Sequence, residues 1–266
     1  MRPVAVVGSL SLDRVEGGPP RIGGGPYHCG RALRILGRPA RIVAKCGRAD
    51  RERLLPRLAA LGVPVTLRVG ERTHAFSMSY DGDTRLMEVD AIGDPWTPED
   101  VAGALTRIGA VHVAPLAQSD FPPETLAEIA RGRRLSFDGQ GLVRQPRTGP
   151  LELTADYDHA VLEHVSILKL AEEEALAILP DLDKASLMSL GVPEVVVTFG
   201  LHGSLVFADG RARRVEVRPL HDADPTGAGD AFSVAYLAAR SEGHAPTSAA
   251  RRASTLVYGL LARRVR

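Results

Sequence analysis

Nine residues near the C-terminus, Asp224-Pro225-Thr226-Gly227-Ala228-Gly229-Asp230-Ala231-Phe232, lead into a segment, 233–240, that is rich in Ala and contains neither Pro nor Gly. This pattern predicts a loop that opens directly into a buried helix. Backbone N–H groups in a first helical turn lack intrahelical acceptors, and the helix dipole favours an anion beside them. Gly227 and Gly229 cost helix stability, so their presence indicates that a ligand approaches the backbone closely there. Phosphate is the obvious candidate ligand.

Asp230 has two interpretations. An acidic residue in a first helical turn commonly complements the helix dipole or caps the helix, which is a structural role. The glycine-containing stretch before it is longer than capping requires, which favours a role in binding or chemistry.

The same nine residues resemble the C-terminal signature of the ribokinase/PfkB-like carbohydrate kinases. The resemblance implies that the amides of Gly227, Ala228 and Gly229 form an anion hole for the transferred phosphoryl group. It also implies that Asp230 is the base that takes the proton from the substrate hydroxyl. Phosphoryl transfer depends mainly on positioning and charge neutralisation, so oriented amides and one carboxylate suffice for the core of such a site.

The composition is that of a globular protein. The chain has 266 residues, 44% of them hydrophobic and 24% charged, and a formal net charge of +1. We therefore expect one domain over 1–266, no nucleic-acid partner and no membrane partner. Cys29 and Cys46 are the only cysteines, which predicts reduced thiols and a cytoplasmic protein. The apolar run 4–7 is too short for a signal segment or a membrane span and predicts a first strand.

Strand and helix patterns alternate over most of the chain, which predicts an α/β fold with a mostly parallel central sheet flanked by helices. Thr97-Pro98 is a good helix start, after which Val101, Leu105 and Ile108 share one face. Residues 64–89 instead alternate apolar and polar positions, as in antiparallel strands with one open face. The resemblance implies a ribokinase-like sandwich with a small β lid over the substrate, formed by segments of about 10–23 and 64–91.

The N-terminal region carries the expected acceptor site. Asp13 follows the first strand, where ligands of α/β sheets collect, and the family uses an Asp in this context to bind substrate hydroxyls. The glycine-rich turn at 23–25, which precedes a helix ending at Gly37, resembles the N-terminal family signature. It implies that Gly24, Gly25 and His28 contact the substrate. Many family members have Asn at the position of His28, so His28 is either a substrate ligand or a packed helix residue.

Two further motifs concern the phosphate donor. Glu174 matches the Glu of the family motif Asn-x-x-Glu, which is linked to Mg²⁺ and the nucleotide phosphates, but Ala171 replaces the Asn. A carboxylate holds hydrated Mg²⁺ well through water, whereas the structural alternative is a dipole-stabilised first helical turn. The family's Thr-x-Gly-x-x-Gly turn at the nucleotide pocket is matched by Thr198, Gly200 and Gly203. With Thr226, these residues are the expected nucleotide contacts.

A polar loop follows the strand that ends at Asp138. Its string Asp138-Gly139-Gln140-Gly141-Leu142-Val143-Arg144 is similar to a branch of the family that includes inositol kinases. Arg144 is a candidate contact to a phosphate or to the substrate, and its structural alternative is a solvated loop residue.

The sequence thus predicts an enzyme that uses ATP and Mg²⁺ to phosphorylate a hydroxyl of a sugar or related small polyol. Two alternatives stay open. One is an inositol or nucleoside kinase of the same family. The other is a non-catalytic sugar- or nucleotide-binding member, which is suggested by the replacement of the family's usual Asn residues by His28 and Ala171. The resemblance also leaves open a homodimer formed through the lid.

Overall fold

Two β-sheets and the helices around them form the protein, as seen in a computed structural model that describes residues 3–81, 84–217 and 225–262. Strands and helices are numbered in chain order. The strands are β1 (Val4–Ser9), β2 (Ser11–Val15), β3 (Arg21–Gly23), β4 (Ala40–Gly47), β5 (Val65–Gly70), β6 (His74–Asp81), β7 (Thr84–Ala91), β8 (Ala110–Ala114), β9 (Arg134–Asp138), β10 (Gly149–Pro150), β11 (Ile167–Ala171), β12 (Glu194–Thr198), β13 (Ser204–Ala208) and β14 (Arg211–Val215). The α-helices are α1 (Gly25–Leu36), α2 (Arg51–Ala59), α3 (Pro98–Val101), α4 (Pro123–Ala130), α5 (Gln140–Val143), α6 (Glu172–Ile178), α7 (Lys184–Ser189), α8 (Ala228–Ser241) and α9 (Pro246–Ala262).

The larger sheet has nine strands in the order β14-β13-β12-β11-β9-β8-β1-β4-β5. The strands from β12 to β5 in this order run parallel to one another, and β13 and β14 follow as antiparallel hairpin strands. The predicted fold class, a mostly parallel sheet flanked by helices, is confirmed.

Helices cover both faces of this sheet. Alternate residues of β1 enter different apolar clusters: Ala5 and Val7 pack in the cluster that contains residues of α4 and α6, and Val4 and Val6 pack in the one that contains residues of α1, α8 and α9. A strand buried on both faces has no polar side, which explains why β1 is a continuous apolar run. No described helix has both the length and the apolar character needed to cross a membrane.

The smaller sheet has the order β10-β7-β6-β2-β3 and lies at the predicted lid segments. The sheet is mixed, because β2 pairs with β6 in parallel while the other three strand pairs of the sheet are antiparallel. The predicted lid segment 64–91 starts too early, since β5 pairs in parallel with β4 at the edge of the larger sheet. β5 is an edge strand whose residues are all partly or fully exposed, so polar residues are tolerated between its apolar ones, as in the predicted lid strands.

Two local predictions also need correction. The helix expected after Thr97 lasts only one turn, α3, because the chain turns at Gly103 and Arg107, both of which have positive φ. Val101, Leu105 and Ile108 are nonetheless buried, as their spacing predicted. The polar loop expected after Asp138 contains the short helix α5, whose Leu142 is buried.

A buried polar cluster holds α8 against the sheet. The Tyr236 hydroxyl donates to Glu194 Oε1 at 2.5 Å, and Arg240 Nε lies 3.0 Å from both carboxylate oxygens of Glu194. Glu194 begins β12, which places this anchor on the sheet itself. The anchor restricts the position of α8 and therefore of its N-terminal turn.

Replacing Glu194 should destabilise the fold strongly. Glu194→Ala would leave the Tyr236 hydroxyl and the Arg240 guanidinium without their shared acceptor, so we expect the free energy of unfolding to fall by about 3 kcal/mol in urea titrations. Glu152→Ala is the control. It breaks the Arg147–Glu152 ion pair, whose side chains are 61% and 57% exposed, and should cost less than about 1 kcal/mol. Equal losses in the two variants would contradict the anchoring role.

Candidate active site

The N-terminal turn of α8 has the conformation that its glycines suggest. Gly227 precedes the helix with φ of 75°, in the left-handed region that favours glycine. A Cβ at Gly227 would overlap the His28 ring, and one at Gly229 would lie 3.1 Å from Lys169 Nζ. Both glycines therefore allow a charged or polar side chain to approach the turn. Asp224, the first residue of the motif, lies outside the described residues.

One of the three predicted anion-hole amides is already paired. The Ala228 N–H donates to the Pro225 carbonyl oxygen at 2.9 Å, in the turn that opens α8. In this conformation the turn already satisfies that N–H group. The anion-hole roles of Gly227, Ala228 and Gly229 stay predictions.

Asp230 lies where two helices begin. It is in the first turn of α8, and a Cβ at Gly25, the first residue of α1, would lie 3.0 Å from Asp230 Oδ1. The same Cβ would overlap Ala114 at the end of β8. Glycine at position 25 thus lets α1 approach the Asp230 carboxylate, which is partly exposed beside the carboxyl end of the sheet.

Three further charged side chains are buried near Asp230. Asp138 ends β9, Lys169 is in β11 and Glu174 is in the first turn of α6, and their exposures are 1%, 5% and 4%. Lys169 Nζ lies 3.5 Å from Asp138 Oδ2, while Glu174 Oε2 accepts a hydrogen bond of 2.8 Å from the Ala171 amide. The carboxyl ends of neighbouring parallel strands have brought these groups together, at the edge where α/β proteins bind ligands.

These charges shift one another's pKa values. Burial and then Asp138 raise the pKa of Asp230 to about 7, although Lys169 and Arg144 act in the opposite direction. Burial also raises the pKa of Glu174, with Lys169 again opposing. Burial would lower the pKa of Lys169, but Asp138, Glu174 and Asp230 together outweigh it and raise that pKa. The lysine is therefore a permanent cation beside a carboxyl group whose proton affinity suits a general base near neutral pH.

The predicted acceptor residues lie close to the start of α1. A Cβ at Gly23 would overlap the Asp13 carboxylate, and Gly24 has φ of 88° with no room for a Cβ beside the Ser9 carbonyl oxygen. Asp13 in β2 thus faces the glycine turn of β3 and α1, as a shared binding site requires. His28 instead packs against Gly227, which favours its interpretation as a packed helix residue, and its substrate contact stays a prediction.

The remaining predicted residues divide between the charge cluster and a cavity. Arg144 follows α5 and lowers the pKa of both Asp230 and Glu174, so it belongs to the charge cluster. Thr198, Gly200 and Gly203 line a cavity of about 530 Å³. Ala228 and Phe232 of α8 form another wall of this cavity, together with residues of α9 that include Val257 and Tyr258. Thr226 lines an adjoining small crevice with Gly227.

The sequence analysis gave no role to Lys169 or to Asp138. A signal for Lys169 existed, because it is a single charge within the apolar run of β11, Ile167-Leu168-Lys169-Leu170. A strand buried on both faces rarely carries a charge unless that charge has a partner. The partner could not be named from the sequence, since Asp138 is 31 residues away.

Comparisons with known proteins identify the family of the chain. A profile described as pfkB family carbohydrate kinase matches residues 14–256. Ribokinase of Bacillus subtilis (strain 168) is 27% identical over 163 residues, which are 61% of this chain but only 53% of the ribokinase. Fructokinase of Salmonella thompson is 31% identical over 195 residues, or 67% of this chain and 80% of the fructokinase.

A solved structure shares the fold over nearly the whole chain. It is described as a pyrophosphate-dependent kinase in the ribokinase family complexed with a pyrophosphate analog and myo-inositol. Its TM-score is 0.82 at 25% identity, and the match covers 96% of this chain and 93% of the other. The ribokinase-like fold is thereby confirmed. Because the profile match also includes the turn that leads into α8 and Asp230, the chain belongs to the pfkB family of carbohydrate kinases, which are phosphotransferases.

Proposed function

We propose that the protein is an ATP-dependent kinase that phosphorylates a hydroxyl group of a sugar or related small polyol. The observation that carries the proposal is the position of Asp230, which stands at the mouth of α8 beside the buried ammonium of Lys169 and opposite the start of α1. A base, a cation and helix amides thus lie close together at the N-terminus of α8, where the phosphoryl group would be transferred.

In the proposed reaction each of these groups has a separate role. Asp230 accepts the proton of the acceptor hydroxyl as the hydroxyl oxygen attacks the γ-phosphorus of ATP, and the bond between that phosphorus and the bridging oxygen breaks to release ADP. Negative charge is spread over the migrating phosphoryl group in the transition state. The Lys169 ammonium and the amides of Gly227 and Gly229 would stabilise that charge, and they need no reorganisation because packing already holds them.

Mg²⁺ fits the carboxylates of the charge cluster. Asp138 Oδ2 is buried and has no hydrogen-bond partner within the described part of the chain, apart from its ion pair with Lys169 at 3.5 Å. Glu174 Oε2 is occupied by the Ala171 amide, which leaves Oε1 for a metal-bound water. We propose that Glu174, with Asp138, holds hydrated Mg²⁺, a mode that suits an ion reluctant to lose its water. The ion supplies charge neutralisation at the donor phosphates.

The cavity beside α8 favours a nucleotide as the phosphate donor. Its volume of about 530 Å³ and its walls of Val217, Phe232, Val257, Tyr258 and Leu261 suit the apolar and aromatic surroundings that a purine base requires. Inorganic pyrophosphate is the second candidate, because the solved relative with a TM-score of 0.82 uses it. Pyrophosphate has no apolar part to occupy such a cavity, so we favour ATP.

The acceptor is proposed to bind between Asp13 and the start of α1. We propose that the smaller sheet acts as a lid there, since its Phe76, Met78 and Val89 pack against Leu116 of the segment after β8. Inositol stays an alternative acceptor because the solved relative binds myo-inositol. A nucleoside is a further alternative. A cytoplasmic location and a homodimer through the lid stay predictions.

Asp230→Asn should abolish turnover without loss of folding. Removal of the base should lower kcat by about 10²–10⁴-fold in a coupled ADP-release assay over sugars, inositols and nucleosides. Burial raises the pKa of Asp230 to about 7, so the stability that its protonated form contributes is lost as the pH rises towards and through 7, and at pH 8 the variant should unfold at the same or a higher temperature than the wild type. An asparagine variant with undiminished kcat would exclude Asp230 as the base. A wild type that phosphorylates no acceptor would favour the non-catalytic binding protein.

Lys169 should control both the rate and its pH dependence. Because Asp230 must be ionised to act, kcat/KM should fall about tenfold per pH unit below about 7. Lys169→Gln should lower kcat by about 10²–10³-fold. It should also shift the acidic limb of the pH–rate profile to higher pH, since the ammonium lowers the pKa of Asp230. Lys169→Arg should leave that limb at the same pH. The control is Lys184→Gln, at an exposed position of α7. An unchanged pH limb in Lys169→Gln would mean that the lysine is only structural.

Filling the cavity should discriminate between the two donors. Ser254→Trp would place an indole among the cavity walls, so the KM for ATP should rise by at least about tenfold while kcat changes little. The control is Arg252→Trp, at an exposed position two residues away. If pyrophosphate supports turnover better than ATP, and Ser254→Trp leaves that turnover unchanged, the nucleotide assignment is wrong.

A further inference from the structure

Three potential metal ligands lie close together near the N-terminus of α8. One ligand atom from each of Cys29, His112 and Asp230 lies within 4.8 Å of the other two, the one such group of three found among the described residues. The three residues come from α1, β8 and α8, so the fold and not the local sequence assembles them. Cys29 and His112 are fully buried, whereas Asp230 is partly exposed.

His112 is prepared as a ligand. Its Nδ1 lies 3.2 Å from Ser136 Oγ on the neighbouring strand β9, while Nε2 is buried with no hydrogen-bond partner among the residues that the structure describes. When Nδ1–H donates to the Ser136 hydroxyl, Nε2 carries a free lone pair. Metal-binding histidines commonly have this outer hydrogen bond, which fixes the tautomer and the ring orientation. Burial lowers the pKa of His112 to about 4, so the ring is neutral at physiological pH.

The charges around the group favour a cation. Burial raises the pKa of the Cys29 thiol, and the carboxylates of Asp230 and Asp138 raise it further. The same carboxylates attract a divalent ion, and their effects on Cys29 are larger than that of the nearby Lys169 ammonium, which opposes a cation. Asp138 likewise has a larger effect than Lys169 on His112. A bound ion would in turn stabilise the thiolate. Cys29 Sγ already lies against Asp230, donating to its backbone oxygen at 3.3 Å.

We propose that Cys29, His112 and Asp230 form a Zn²⁺ site. Thiolate, imidazole and carboxylate are the donors that zinc prefers, at bond lengths of about 2.0–2.3 Å and hence roughly 3.5 Å between ligand atoms, a contraction that side-chain rotation can supply. The S–H bond of Cys29 breaks as the S–Zn bond forms, and the proton passes to solvent. The partly exposed side of Asp230 leaves the fourth position open to water. Mg²⁺ would not compete, because it prefers oxygen ligands.

Occupation of this site has a consequence that rests on the proposed function. A zinc ion bound to the Asp230 carboxylate removes the base from the reaction. Zn²⁺ should therefore inhibit the kinase even at saturating Mg²⁺. Metal binding itself does not depend on catalysis, so the site and the kinase activity are tested by separate measurements.

Co²⁺ provides the direct test, because a cobalt–thiolate bond gives intense near-ultraviolet absorption. The full-length protein should develop this absorption with a stoichiometry of one Co²⁺ per chain, and Zn²⁺ should abolish it. Cys29→Ser should remove the band, and His112→Asn should weaken Co²⁺ binding by at least ~100-fold. Ser136→Ala should weaken it by ~10–100-fold, as expected for an outer partner of a ligating histidine.

Cys46→Ser is the matched control. Cys46 is the other buried cysteine, but it packs in the separate apolar cluster next to α2, so its variant should keep the full band. Thermal unfolding of each variant without metal shows whether it has folded. A wild type with no thiolate band, or a band that persists in folded Cys29→Ser, would overturn the site. A band lost in folded Cys29→Ser and kept in Cys46→Ser would establish it, whether or not any acceptor is phosphorylated.

Discussion

The burial of charge around Asp230 is the constraint on which the rest of the structure depends. Three carboxyl groups and one ammonium lie at the carboxyl edge of the larger sheet, and Lys169 and Arg144 both oppose the negative charges. Buried charges are costly unless they are paired, and removing one partner leaves the others without compensation. The strands β9 and β11, the first turn of α6 and the anchored helix α8 carry the four groups. Burial among them raises the pKa of Asp230 to about 7.

Close approach between backbone segments is the second condition for the site. Gly25 and Gly229 stand where a Cβ would approach the Asp230 carboxylate and the Lys169 ammonium, and Gly227 leaves room for the His28 ring. These glycines bring the starts of α1 and α8 to the same point. The glycines lower the local helix propensity, but they allow the N-termini of α1 and α8 to contact the charged groups.

Under the proposed function, donor and acceptor bind to different parts of the molecule. The cavity between α8, α9 and the turn at Gly200 and Gly203 is mostly apolar, whereas Asp13 and the glycine turn of α1 offer polar and backbone groups. With that separation, a change in the cavity or in the glycine turn would alter donor or acceptor binding without altering the charge cluster.

The sequence by itself determined most of the longer strands and helices, the mostly parallel sheet, the helix start at Gly227–Asp230 and the family, because each is encoded by local periodicity or by a contiguous motif. It misplaced β5, since an exposed edge strand and a lid strand alternate alike. Only the tertiary structure decided that Lys169 meets Asp138, that the Ala228 amide is paired, and that Cys29 and His112 lie beside Asp230. These contacts join residues from different strands and helices, and local sequence patterns carry no information about which distant side chains the packing of the sheet brings within reach.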